Sequence, residues 1–312
     1  MNKQKKIYAI VLLLVLLFTL SGCANQEYIT SPLGGSFGFW DIFVYPMAGI
    51  MWLIGQSIGA HNYALTIIFA TLIVRTLAWP IYAKSNDMQL KMKIIQPEVD
   101  KIQAKYADKE DNESKQRMQM EMMQLYKKNG IGMGGCLMPL LQMPIFLGFY
   151  YAIRKLPSAM ETEGHWLNIF TSTKLFGIDM TLAMNSEKLT ESAVQTQKTG
   201  IIILAVLVGI TQVISIIISE LRQKKAQEQQ QSNIPEYRRP KQNPQAKSSA
   251  NMMKMMLYVF AIMMVVIVIQ SPAGLGLYWV VGNIYSTLQA WIGHKNSTKR
   301  MEKLKAKHDS KF

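Results

Sequence analysis

Arg75 places a permanent positive charge inside the apolar stretch Ala70-Thr71-Leu72-Ile73-Val74-Arg75-Thr76-Leu77. The surrounding run, His61 to Ala83, is near the ~20 residues that a bilayer requires. Its middle falls near Leu72, so at ~1.5 Å rise per residue Arg75 lies roughly 4–5 Å from the midplane. An arginine at that depth costs at least ~2.5 kcal/mol on insertion scales. None of the five apolar runs of the chain contains Asp or Glu. Relief must therefore come from backbone carbonyls, polar side chains or water. Candidate partners are Gln142, Thr211, Gln212, Tyr278, Trp279 and Asn283, together with Thr71, which is four residues before Arg75 and shares its helix face. Two arrangements meet the requirement. One is a hydrated, positively charged groove within the bundle, suited to transient capture of an anion. The other is snorkelling of the side chain to the cytoplasmic interface. Proton pumping fits neither, because it runs on Asp, Glu and His relays.

Cys23 is the second chemical signal. Lys3, Lys5 and Lys6 precede an apolar segment over 7–20, and Leu20-Ser21-Gly22-Cys23 follows directly. The pattern is that of a secretory signal, 1–22, too short and too early to count as a span. It is similar to the lipobox of bacterial lipoproteins, which implies cleavage before Cys23 and a covalent lipid there. Diacylglycerol would sit on the thiol and an acyl chain such as palmitate on the new amine. The alternative is an uncleaved anchor with an incidental cysteine. With lipidation, the mature chain starts outside the cell.

Other chemistries are excluded. Two cysteines and four scattered histidines provide neither a disulfide framework nor a metal-ligand spacing. There is no phosphate-binding glycine loop and no Gly-x-Ser-x-Gly elbow. No metal, no further cofactor and no enzymatic activity are expected.

Hydrophobic residues make up 49% of the 312 and charged residues 17%, whereas a soluble domain carries nearer a quarter charged. The net charge of +14 suits anionic lipid headgroups or RNA. Five spans are expected, at 61–83, 131–153 (with Pro139 and Pro144), 199–219, 252–270 and 273–292. The segment 39–56, within an extracytoplasmic stretch 23–60, is broken by Pro46 and rich in aromatics, and reads as a helix lying in the headgroup zone. Lys and Arg number 10 in 84–130, 7 in 220–251 and 7 in 293–312, against 5 in 154–198. By the positive-inside rule the first three segments are cytoplasmic and 154–198 is outside.

The polar segment 84–130 has its own order. Met88, Met92, Ile95, Val99, Ile102 and Tyr106 recur at steps of four and three, and Met118, Met122 and Leu125 continue the pattern after a turn at 107–114. Two antiparallel helices zipped along these seams follow, with Pro97 kinking the first or starting its second part. The hairpin reads either as a solvated spacer or as a mobile docking element; the 22 methionines suit adaptable apolar contacts and core filling alike. The loop 220–251 is Gln-rich (Gln227, Gln229, Gln230, Gln231) and is expected to be disordered. The tail residues Lys295, Lys299, Arg300, Lys303, Lys305 and Lys307 offer an electrostatic contact to ribosomal RNA or to anionic lipid.

These features together resemble the YidC/Oxa/Alb membrane protein insertases, in the lipoprotein form found in Gram-positive bacteria. The resemblance is carried by Ile73-Val74-Arg75 followed by Pro80, by Gly134-Gly135-Cys136 with Pro139 and Gln142-Met143-Pro144-Ile145-Phe146, and by Ser271-Pro272-Ala273-Gly274-Leu275-Gly276-Leu277-Tyr278-Trp279-Val280-Val281-Gly282-Asn283. It covers about residues 55–292. It implies an all-α membrane protein with five transmembrane helices around a hydrophilic groove, an N-terminal interfacial helix and a cytoplasmic two-helix hairpin. It also implies a cell-membrane chaperone and insertase that uses no nucleotide hydrolysis. Arg75 would be the groove arginine, with Thr71, Gln142, Gln212, Tyr278 and Trp279 in substrate contact. The implied partners are nascent membrane proteins, the Sec translocon, the ribosome with the signal recognition particle pathway, and anionic lipids. The chain departs from the family at Asn129-Gly130, where Asn-Pro is common. A small transporter for anionic solutes is the competing reading, but five spans do not divide into equal repeats.

Overall fold

Long apolar runs separated by polar breaks become helices because a helix satisfies all of its own backbone groups. A computed structural model describes residues 39, 41–106, 111–131, 138–184, 186, 191–232 and 244–309. The signal segment 1–22 and Cys23 lie outside the described residues. In chain order the helices are α1 (Asp41–Gln56), α2 (Tyr63–Leu77), α3 (Trp79–Ile94), α4 (Gln96–Lys105), α5 (Asn112–Lys128), α6 (Met138–Glu161), α7 (Glu191–Ser232), α8 (Pro244–Gln270) and α9 (Ala273–Asp309). Strands β1 (Lys174–Leu175) and β2 (Ile178–Asp179) form a two-stranded antiparallel hairpin between α6 and α7.

Several bounds differ from the sequence reading. The expected first span is two helices, since α2 stops at Leu77 and α3 restarts at Trp79 with Pro80 in its first turn, where a missing N–H costs nothing. Helix α6 begins at Met138 and runs to Glu161, and α7 continues through the Gln-rich segment to Ser232. The tail is helical to Asp309. Lys, Arg, Glu, Gln and Ala are strong helix formers, so a helix that starts in the apolar run has no local reason to stop. Among the described residues one helical stretch, Ala193–Arg222, is long and apolar enough to cross a bilayer, and Tyr63–Leu77 and Lys254–Gln270 are shorter apolar helices.

The chain divides into two compact units. The first contains residues up to Leu72, Pro144–Val213 and Tyr258–Gly282. Its core interleaves Ile67 and Ala70 of α2, Phe149, Ala152 and Ile153 of α6, Ile201 and Ala205 of α7, Val268 of α8 and Leu275 of α9, all buried. Small residues set the helix spacing: a Cβ on Gly276 would meet Val268 at 3.0 Å and Leu204 at 3.2 Å, as is common where helices pack in lipid.

Helix α1 belongs to this core. It buries Val44, Ala48, Met51 and Ile54 and turns Ile42 and Leu53 outward. At Gly148 its backbone lies so close to α6 that a Cβ would sit 2.7 Å from the Phe43 carbonyl oxygen. Asp41 faces inward. Its carboxylate lies 3.3 Å from Lys155 Nζ, with side-chain exposures of 3% and 1%.

The long loop after α6 is ordered by backbone pairing. Thr171 N–H donates to His61 O at 2.9 Å, and Tyr63 N–H to Ser172 O at 2.8 Å. Ala273 and Gly274 N–H donate to Leu182 O and Met180 O. The opening amides of α2 and α9, which have no acceptor within their own helices, thus find one in this loop. Gln197 of α7 fastens the loop: its amide oxygen accepts from Asp179 N–H at 2.9 Å, and its nitrogen donates to Asp179 O at 2.8 Å and Leu182 O at 3.0 Å. Phe176 and Gly177, with φ of 52° and 78°, make the tight turn that matches the twist of the β1–β2 hairpin.

The second unit contains Ile73–Met143, Ile214–Leu257 and the chain from Asn283 onward. The heptad seam packs here: Ile95, Val99 and Ile131 are buried, with Met88, Met92, Met122, Leu125 and Tyr126 against them. The first arm breaks at Ile95, and Pro97 stands in the first turn of α4. Helix α5 is capped by Asp111, whose carboxylate accepts from Ser114 N–H at 2.7 Å. Its end accounts for the family departure at Asn129-Gly130. Gly130 has φ of 63°, Gly130 N–H donates to Lys127 O, and Ile131 N–H donates to Tyr126 O. That pair of bonds is the Schellman stop, which takes glycine and which the fixed φ of proline forbids.

Glu121 ties the two arms together, accepting from Lys105 Nζ at 2.6 Å and Tyr106 Oη at 2.8 Å. These bonds, that from Lys105 foremost, hold the Glu121 carboxyl below its ordinary value of 4.5. Lys105 is raised above 10.5, chiefly by its hydrogen bond to Glu121. The glutamate's contribution is present above pH 4.5 and is lost as pH falls through the lowered value. The lysine's is present below pH 10.5 and is lost as pH rises through the raised one. Fluorescence energy transfer between labels on α4 and α5 should therefore report loosening in acid, and Glu121→Gln should flatten that acid response.

Candidate functional site

Arg75 stands in the last turn of α2, and its Nη1 donates to Ser286 Oγ of α9 at 2.5 Å. The guanidinium is half-buried, and this neutral partner leaves its charge intact. One residue on, Thr76 Oγ1 and Tyr285 Oη lie 2.8 Å apart, and Trp79 packs edge-on to the Tyr285 ring at 6.4 Å. Ser215 of α7 and Thr287 of α9 share a hydrogen bond of 2.7 Å, and Thr287 donates on to Asn283 O. The second unit thus carries hydroxyls on α2, α7 and α9, one of which, Ser286, accepts from the Arg75 cation. Glu220, near the end of the long apolar stretch of α7, pairs with Lys254 of α8 at 3.5 Å.

The first unit holds the aromatic candidates. Tyr278 is 2% exposed and stacks on Phe149 with ring centroids 4.7 Å apart. Trp279 is buried and stacks on Phe146 at 5.8 Å. Phe146 in turn meets Tyr150, and the Arg154 guanidinium lies over the Tyr150 ring at 5.2 Å. One face of α6 therefore carries a ladder of rings that ends in a cation. Thr71 is fully buried, and its hydroxyl donates to Ile67 O of its own helix at 2.7 Å. Gln212 is half-buried on α7, and Gln142 lies in the second turn of α6. The tail residues Lys295, Lys299, Arg300, Lys303, Lys305 and Lys307 fall on the last part of α9.

The recorded partner of Arg75, Ser286, was absent from the sequence candidates, although Asn283, one turn earlier, was among them. A serine in a helix carries little signal of its own, and only the three-residue step from Asn283 pointed to that face. Among the described residues no group of His, Cys, Asp and Glu is arranged to hold a metal ion.

Comparison with known proteins shows the family of the chain. The family described as "60Kd inner membrane protein" matches residues 53–302. The protein named "Membrane protein insertase YidC" of Oceanobacillus iheyensis is 33% identical over 296 residues, covering 94% of this chain and 97% of that relative. "Membrane protein insertase YidC 2" of Bacillus anthracis is 30% identical, covering 93% of each chain. "Membrane protein insertase MisCA" of Bacillus subtilis is 30% identical, covering 88% of this chain and 85% of the relative. With a match that spans most of its length and relatives of nearly equal extent, the chain belongs to the YidC/Oxa/Alb family of membrane protein insertases.

Proposed function

We propose that this chain inserts newly synthesised proteins into the bacterial cell membrane and helps them fold, alone or with the Sec translocon. It is not an enzyme, since insertion breaks no covalent bond. The proposal includes five spans with an outside N-terminus and a cytoplasmic C-terminus, and lipid attachment at Cys23. The observation that carries the mechanism is Arg75 bonded to a neutral hydroxyl in an otherwise apolar stretch. A client with a short acidic extramembrane tail enters from the cytoplasm. Its carboxylates are drawn to the guanidinium, where Coulomb attraction exceeds that in water. The polar surroundings of Arg75, Ser286 among them, shorten the apolar distance the tail must cross. The client's hydrophobic helix then leaves sideways, and its burial in lipid drives the process.

In cells depleted of their own insertase, Arg75→Ala should lower insertion of acidic-tail clients roughly tenfold, equivalent to about 1.4 kcal/mol. Arg75→Lys should retain most of it. Full insertion of such clients by the alanine variant would remove the cation from the mechanism. The basic end of α9 supports ribosome or anionic-lipid contact. Salt-dependent co-sedimentation with ribosomes, compared with a chain ending at Gly293, separates these.

A further inference from the structure

Gln289 of α9 is 9% exposed, and its amide nitrogen is buried with no hydrogen-bond partner among the described residues. It lies three residues after Ser286, so the two side chains leave the helix about 60° apart on one face. Ser286 is the hydroxyl that accepts from Arg75. A buried amide left unpaired costs stability that an apolar side chain of similar size would avoid. The polar group stands where folding alone would favour leucine.

Its chemistry matches what the Arg75 site lacks. A carboxylate offers about four lone-pair directions. A guanidinium meets at most two of them in a fork. The remainder need neutral donors, and a glutamine amide supplies two N–H groups without competing charge. We propose that Gln289 is a specificity-determining residue that donates to the client's carboxylate as it approaches Arg75 from the C-terminal, cytoplasmic side of α9. This rests on the insertion reading above and adds the residue that selects a carboxylate over a neutral amide tail.

The test uses the full-length chain in liposomes with an in vitro translated single-span client, its short tail carrying either two aspartates or two asparagines. Wild type, Gln289→Leu, Gln289→Glu and Arg75→Ala are compared, with thermal unfolding of each. Gln289→Leu should lower Asp-tail insertion roughly three- to tenfold, leave the Asn tail unchanged, and unfold at the wild-type temperature or above. Gln289→Glu should lower the Asp tail further, by repulsion. Equal loss on both tails would make Gln289 merely structural, and no loss on either would remove it from the path. Both results overturn the proposal while a selective Arg75→Ala defect leaves the insertion reading standing. An Arg75→Ala variant that inserts the Asp tail normally overturns both.

Discussion

Asp41→Ala is expected to destabilise the first unit by about 3–5 kcal/mol, the usual cost of removing one partner from a buried ion pair. Lys155 is 1% exposed, and its Nζ lies 3.3 Å from the Asp41 carboxylate. With the aspartate gone, the ammonium loses its recorded counter-charge in a place water does not reach. The lysine sits near the end of α6 and the aspartate at the start of α1, so the loss also loosens the grip of one helix on the other. The close approach at Gly148 is a second fastening between the same two helices. Asp41→Leu combined with Lys155→Met should recover most of the stability, because it removes both charges and keeps the volume. Thermal unfolding in detergent micelles reads both variants. A single mutant within about 1 kcal/mol of wild type would mean that Lys155 reaches water or finds an equal partner. A double mutant as unstable as the single one would mean that packing at these positions, not charge, holds α1.

Gln197→Leu should be nearly as damaging, by roughly 3 kcal/mol or more, because each buried polar group left without a partner costs about 1–3 kcal/mol. Three backbone groups of the loop depend on this 2% exposed amide: Asp179 N–H, Asp179 O and Leu182 O. The consequence travels beyond the loop. Met180 and Leu182 supply the acceptors for the first amides of α9, so a loosened loop leaves that helix start uncapped. Limited proteolysis should cut the variant within 173–182 at protease levels that spare the wild type. Protection as strong as wild type would show that the β1–β2 hairpin and the backbone bonds hold the loop without the amide.

Much of the molecule was legible along the chain because its determinants are local. The seam follows from spacing alone, and Met88, Met92, Ile95 and Val99 of its first arm pack against Met122 and Leu125 of its second. Pro97, read as a kink or a restart, stands in the first turn of α4. Arg75 announces itself because charge in an apolar run is costly wherever the helix goes. The loop 154–198 gave no such signal: its order depends on carbonyls meeting helix amides far away in sequence, and backbone groups are the same in every residue. The Gln-rich segment misled for the opposite reason. Its polarity suggested disorder, while the helix entering it simply continued.

By itself, then, the order of residues determined which segments are apolar, where the hairpin zips and that Arg75 stands in an apolar run. Each of these depends on contacts within a few turns. Only tertiary structure decided that Arg75 bonds Ser286, 211 residues away, and that Asp41 meets Lys155, 114 residues away. Only tertiary structure decided, too, that Gln289 is buried without a partner. Polar side chains of these types satisfy themselves equally well in water or in many pairings. Which pairing forms is set by the packing of small and large apolar residues between helices, and that packing has no period to read.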